Sequence, residues 1–410
     1  MTAVTTLQEE SQRQGAFYVP RFEVEIAGVD LPRDVLTDVS ALTYEDSIDS
    51  IDSLLGRFNM TINNWDDERR GYKFIGSETA AQLEEGHRDY SRLTLFEPCG
   101  KDVVVRMGYG GSLVTMLKGH FATMRPNFGD GRADLTVTGL NVLHQLRRKQ
   151  YTTSWPNKTD SEIALDLGGR TDAGRKRFPL PIKIDPNAMG KEKPIPLVVQ
   201  NNQYDIDFLF QRARMRGYVV FIQEEDKSIG RPRQLYFGPS QAGMIPKVRD
   251  VMFQLKWGAS LMQFTPKLTT ANQVRSVTVR GWHRVRKQPI ARKVTLDDER
   301  ITVNRDLHRI LNACDPREEM VVDEPVFTNC EARERAIAIL LDQTKQIVTA
   351  DAKVVGLPDL RAGQLVEITN LGARLSGRYL VTKTTHSIDD NGYITSFSCR
   401  REQYEGGGTP

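Results

Sequence analysis

The closing stretch, Lys353 to Arg401, constrains the fold most. After Asp390-Asn391-Gly392, the residues Tyr393, Thr395, Phe397 and Cys399 recur at every second position. A period of two places side chains on one face of a strand. Asn-Gly readily takes the positive backbone angles of a tight turn, so this spacing predicts a hairpin. Leu357-Pro358-Asp359 with Ala362-Gly363 marks an earlier turn, and Gly377 another, giving three short strands in all.

The same alternation fills the first third. Phe22, Val24 and Ile26 alternate with Glu23 and Glu25, and Phe58, Met60 and Ile62 with Asn59 and Thr61. Val103, Val105 and Met107 follow the pattern, as do Leu135 and Val137. Gly28, Asn63-Asn64, Gly108 to Gly111 and Gly129 to Gly131 supply turns. Many short strands at such spacing point to a barrel or sandwich. The middle differs. Thr159-x-x-Glu162 reads as a capping box opening a short helix that ends near Gly168-Gly169. A Pro- and Lys-rich loop, Arg170 to Pro196, leads to a second helix from Asp205, with Ile206, Leu209, Phe210 and Ala213 as its apolar stripe and Gly217 as its end. A third helix, opened by Thr328-x-x-Glu331, interrupts the last third, with Ala332, Ala336, Ile339, Leu340 and Gln343 sharing a face.

The expected fold is therefore mainly β with an α+β insertion: two barrel-like β domains in tandem plus a small α/β domain. The expected division is a flexible N-terminal tail over 1–15, a first barrel-like domain over 16–150, the α/β domain over 151–245, a second barrel-like domain with the inserted helix over 246–402, and a flexible C-terminus over 403–410. A short internal repeat supports two related barrels: Val103 to Gly139 can be laid beside Leu365 to Arg400, matching Gly119-His120-Phe121 to Gly377-Arg378-Tyr379.

Composition narrows the function classes. At 410 residues, the chain can hold two to four cores. No run of about 18 apolar residues exists, so no membrane insertion is expected, and Met1 to Gly15 lacks the apolar centre of a secretory signal. Cys99, Cys314, Cys330 and Cys399 show no Cys-x-x-Cys spacing, which fits synthesis in a reducing cytoplasm. The net charge of +3 is unevenly spread: residues 1–100 carry 9 basic and 19 acidic groups, and residues 101–300 carry 34 and 18. Such a division suits head-to-tail contact between copies, or compensation within one chain.

Catalytic and ligand-binding patterns are missing. Gly169-x-x-x-x-Gly174-Arg-Lys176 lacks the Gly-Lys-Ser/Thr of a phosphate loop, and Gly108-Tyr-Gly110-Gly-Ser lacks the third glycine of a dinucleotide fingerprint. His87, His120, His144, His283, His308 and His386 never fall at His-x-x-x-His spacing. Asp66-Asp67 and Glu84-Glu85 sit on polar stretches. The expectation is no catalytic, metal or cofactor site, and no cofactor. Basic residues gather at Arg147-Arg148-Lys149 and through Arg275, Arg280, Arg284, Arg286, Lys287, Arg292 and Lys293, near Tyr151 and Trp282. Without a nucleic-acid motif, a basic protein interface is favoured over nucleic acid.

Three pieces of the closing stretch resemble a family together. They are Gly356-x-Pro358-x-Leu360-x-x-Gly363, Ser376-Gly377-x-Tyr379-x-Val381 with His386, and Gly392-Tyr393-x-Thr395-x-Phe397-x-x-x-Arg401. They look like the C-terminal signature of the phage late control D family, the baseplate hub proteins of contractile phage tails and related injection systems. Asp205-x-x-Phe208-Leu209 with Arg216-Gly217-Tyr218, Leu255 to Pro266 and Gln273 to Trp282 are also similar to that family's pattern. The resemblance implies a structural homotrimer that joins a sixfold tail tube to a threefold spike, with tube, spike and baseplate wedge proteins as partners and no enzymatic role. A sequence that stops after the hub region leaves the spike to be expected as a separate polypeptide. The alternatives are a baseplate-associated cell-wall hydrolase, marked by a compact helical domain with an acidic residue, and a nucleic-acid channel protein, marked by salt-sensitive DNA affinity.

Overall fold

A computed structural model describes residues 3–14, 17, 19–49, 56–98, 101–110, 112–129, 132–225, 230–239, 251–271, 273–298, 301, 305–313 and 317–401. The expected flexible C-terminus, 403–410, lies outside them, as do Cys99, Cys314, Gly111, Asp130 and Gly131.

Fourteen of the described strands join in one sheet that draws on both ends of the chain. Its first array runs Pro20–Ile26, Asp102–Tyr109, Ser112–Gly129, Arg132–Asn141, Arg57–Asn63, Val39–Ser47. The second runs Val251–Lys256, Leu365–Thr369, Gly377–Asp389, Gly392–Arg400, Val348–Val355, Leu261–Leu268. Numbered by position in the chain, both arrays have the order 1-4-5-6-3-2. They differ at their first pair, antiparallel in one and parallel in the other. A short turn and a bridge from Trp257 to Leu261 bring the ends of the second array together, which makes it barrel-like.

The equivalence extends to single residues. The hairpin tips are Gly129 opposite Arg132 and Asp389 opposite Gly392. Ala122 is the extra residue of a bulge in one hairpin, and Thr382 occupies the same place in the other. Ser40 and Met262 are matching bulge residues in the outer strands. The register sets His120 beside Leu380, two positions away from the alignment that the Gly-x-aromatic repeat implies. At the 390–391 turn Gly392 has φ +100°, whereas Asn391 is not in the left-handed region. The turn is thus closed by a glycine bulge rather than by two left-handed residues.

The two arrays join through Gly377–Asp389. One edge of this strand carries Gly392–Arg400. The other carries Leu365–Thr369 as far as Leu380, and then Val39–Ser47 from Lys383 to Ile388. Each array encloses its own core. Phe58, Met60, Ile62, Val103, Val105, Met107, Leu135 and Val137 fill the first, and Phe253, Leu255, Val354, Tyr379, Phe397 and Cys399 lie in the second. The alternation read from sequence supplies these buried faces. A third core, around Trp155, Ile163, Leu167, Phe208, Leu209, Phe221 and Phe237, belongs to the α/β region. There the helices Asp160–Gly169 and Asp205–Arg216 pack beside the three-stranded sheet of Ile182–Ile184, Gln234–Pro239 and Tyr218–Gln223. The Thr159–Glu162 box forms reciprocally, and Gly217 ends the second helix at φ +69°.

Several features depart from the reading of the sequence. Residues 3–13, expected as part of a flexible tail, form a strand, Ala3–Thr6, parallel to Val251–Lys256, and a helix, Leu7–Arg13. Thr6 and Glu9 make a complete capping box, a signal present in the sequence but carried by a helix too short to show periodicity. The helix Arg305–Asn312 was likewise not foreseen. Glu331 caps differently from the standard box, because its carboxylate accepts from Phe327 N instead of Thr328 N (2.9 Å). The inserted helix, Asn329–Lys345, covers a separate three-stranded sheet of Ser276–His283, Gln288–Thr295 and Glu318–Val321.

Candidate functional site

The most distinctive locus is a buried loop where the two arrays meet. Residues 356–366 are all buried. A buried loop must find partners for its backbone polar groups internally, and this one does. Gly356 N donates to Tyr393 O (2.8 Å), and Gly356 O accepts from Tyr109 Oη (3.1 Å). Leu357 N donates to Thr395 Oγ1 (2.9 Å), and Gly363 N to Val381 O (2.7 Å). Leu360 O lies 3.0 Å from His386 Nε2. A carbonyl can only accept, so Nε2 carries a proton, and in the neutral ring Nδ1 accepts from Tyr393 Oη (3.0 Å) or Thr395 Oγ1 (3.1 Å).

Arg361 anchors the loop to the first array. Its side chain is 1% exposed. Nε donates to Asp46 Oδ2 (3.0 Å), and Nη2 donates to Tyr44 Oη (2.6 Å) and Met116 O (3.0 Å). The guanidinium lies over the Tyr44 ring at 4.5 Å. Asp46 also accepts from Ala362 N and from the Thr384 hydroxyl. Burial works to lower the Arg361 pKa, but Tyr44 and Asp46 more than reverse it, so the guanidinium stays charged. Burial pushes the Tyr44 phenol up, and it stays neutral. On the other side of the loop, Asp359 pairs with Arg13, which also pairs with Glu10 of the same N-terminal helix. Chemically this is a buried, hydrogen-bonded plug with its polar groups turned inward, in which Gln364 Nε2 is left without a hydrogen-bond partner. Arg361 occupies an unspecified position of the Gly-x-Pro motif, and Asp46 ends an ordinary strand. Nothing in the sequence pattern joins them.

The other sequence candidates disperse. Thr171–Asp172 and Arg175–Lys176 form a tight hairpin, with Ala173 and Gly174 both at positive φ. Gly110 lies in the turn between Asp102–Tyr109 and Ser112–Gly129. Asp66 caps the backbone of Glu68 and Arg69, whereas Glu84 and Glu85 are exposed. His120 lies 3.0 Å from Asp102, and His308 faces Asp297. Among the described residues, no group of three His, Cys, Asp or Glu side chains is placed to hold a metal. No described helix is long and apolar enough to cross a membrane.

The basic clusters are partly neutralised nearby. Arg147 pairs with Asp207, Lys149 with Asp172 and Lys293 with Glu318, while Arg284 lies over Phe327 at 4.2 Å. Beside Arg284, a groove of about 810 Å³ opens between the α/β region and the Ser276–Val321 sheet. Its apolar lining includes the exposed Leu197, Val199 and Val285.

Residues 81–390 match the family described as the Alg8 N-terminal domain. The chain belongs to that family. No curated protein matches the sequence. Solved structures share the fold at low identity. The 43 kDa tail protein of prophage MuSo2 from Shewanella oneidensis is 16% identical, with a TM-score of 0.61 over 93% of this chain and 98% of that one. A tail protein from Neisseria meningitidis gives 12% and 0.62, over 94% and 97%. An E. coli component of the type VI secretion system, described as structurally similar to the phage T4 tail proteins gp27 and gp5, gives 12% and 0.53, over 94% and 79%. At these identities the likeness is one of fold: this member of the Alg8 N-terminal domain family has the β-rich fold of phage tail proteins.

Proposed function

We propose that the protein is a structural baseplate hub of a contractile injection particle, acting as a homotrimer that joins a sixfold tail tube to a threefold spike and templates tube assembly. The observation that carries this reading is the doubled array. One chain holds two six-stranded units of the same order and bulge positions. Three chains therefore offer six similar surfaces on one side while keeping threefold symmetry on the other. The late control D resemblance of the C-terminal motifs agrees with this role, as does the tail-protein fold. The buried plug at the joint serves stiffness, because a symmetry adaptor must hold its two units in fixed relation under load. The groove beside Arg284 suits contact with surrounding baseplate wedge proteins. The chain is made in the bacterial cytoplasm and assembled into the particle, and no catalytic residue is required.

The test is stoichiometry. Co-expression with the neighbouring tube and spike proteins, followed by native mass spectrometry, should give three hub chains with six tube subunits or with three spike chains. A complex of any other ratio, or no complex with either, would overturn the reading.

A further inference from the structure

The small sheet of Ser276–His283, Gln288–Thr295 and Glu318–Val321 has one covered face. Val277, Val279, Ile290, Val294 and Val321 are buried on the side of the helix Asn329–Lys345. Gln343 of that helix donates to Glu319, and Arg292 donates to Asn329, so these residues share the covered side. The registers set Thr278 beside Lys293 and Met320, Arg280 beside Ala291, and Trp282 beside Pro289, and strand alternation turns all of them to the other face. There Trp282 is 53% exposed, Met320 54% and, one step past the strand, Val322 64%. Pro289 and Ala291 are exposed beside them. None of these residues lines the groove beside Arg284. A contiguous exposed apolar face marks a contact surface.

We infer that this face docks an acidic amphipathic helix of another protein, with the helix's apolar stripe on Trp282, Met320 and Val322 and a carboxylate on Arg280. The inference stands apart from the trimer reading. Arg280 is exposed in the middle of the apolar face and has no acidic partner among the described residues. Lys293 lies on the same face, and Arg286 and Lys287 stand exposed at the adjoining hairpin turn. Glu318 is the one acidic group on the face among the described residues, and Lys293 already holds it. The face is therefore cationic as well as apolar, which selects carboxylates.

Size argues for a helix. Strands lie about 4.8 Å apart, so the two outer strands of this sheet are about 10 Å apart, the width of one helix. The two longer strands have 8 residues each. They run about 26 Å, which a helix of about 17 residues spans. The covered face already carries a helix of 17 residues. A sheet that is apolar on both faces is completed by a layer on each. Single-stranded nucleic acid is held by several stacking rings, whereas Trp282 is the one ring among the described residues of this face.

The test titrates the full chain with a synthetic helical peptide of that length, free of aromatic residues, with leucine along one face and glutamate flanking it. A twin peptide carries lysine in place of glutamate. Calorimetry should show the glutamate peptide binding in preference to its twin. Tryptophan emission should shift to the blue as Trp282 is covered, and Trp282→Phe should remove that shift. Arg280→Glu, a change at an exposed position, should weaken the glutamate peptide about tenfold and admit the lysine twin. Equal affinity of the glutamate peptide for the chain and for Arg280→Glu overturns the inference, as does no binding of either peptide. An oligothymidylate that displaces the glutamate peptide overturns it in favour of nucleic acid. A Trp282 emission that shifts on dilution without peptide overturns it in favour of a second copy.

Discussion

Arg361 and Asp46, 315 residues apart in the chain, meet as a buried ion pair at 3.0 Å between the two arrays. Removing either partner leaves the other charge uncompensated in the interior, at a cost of about 3–5 kcal/mol. Arg361→Met and Asp46→Leu should each destabilise by that order in denaturant titration. The double variant should lose less than the sum, because neither charge remains.

Gly356 faces the Tyr393 ring so closely that an added Cβ would lie 2.1 Å from it. Tyr393 is itself held by His386. Gly356→Ala should therefore lower stability by about 1–3 kcal/mol, the usual cost of overpacking. Gly392→Ala has open space around its Cβ. It should show only the smaller strain of its positive φ, as thermal unfolding of the two variants would reveal.

Arg13 neutralises Asp359 and Glu10, both buried. Arg13→Ala should cost about 1–3 kcal/mol through the acceptors it abandons. Hydrogen exchange should then rise at Ala3–Thr6 and along Val251–Lys256, the strands that the N-terminal segment ties together.

Asp166 accepts from Trp155 Nε1 at 2.6 Å and from Arg170. Partial burial would raise its pKa, but those hydrogen bonds outweigh burial and hold the carboxyl below the usual range. A depressed carboxyl contributes stability above its unfolded pKa and loses it as pH falls through the folded pKa. Acidification should therefore change Trp155 fluorescence below the ordinary carboxylate range. Asp166→Asn should abolish that step and flatten the acid limb of stability.

Much of the β framework was legible because one buried face dictates period two, as at Phe58, Met60 and Ile62. Helix caps at Thr159 and Thr328 were legible because capping is local chemistry. The N-terminal strand and helix were not, since a four-residue strand gains its stability from Val251–Lys256, far away in sequence. The Arg361–Asp46–Tyr44 plug was not either, because its partners lie in different thirds of the chain and each residue type looks ordinary where it stands. The repeat was visible but two residues out of register. Bulges at Ala122 and Thr382, which no composition marks, set the true alignment.

The central claim is that this chain assembles as three copies. Native mass spectrometry of the purified full chain tests it most directly. A dominant species at three times 46.4 kDa is expected. A single-copy species at every concentration, with or without spike protein, would contradict it.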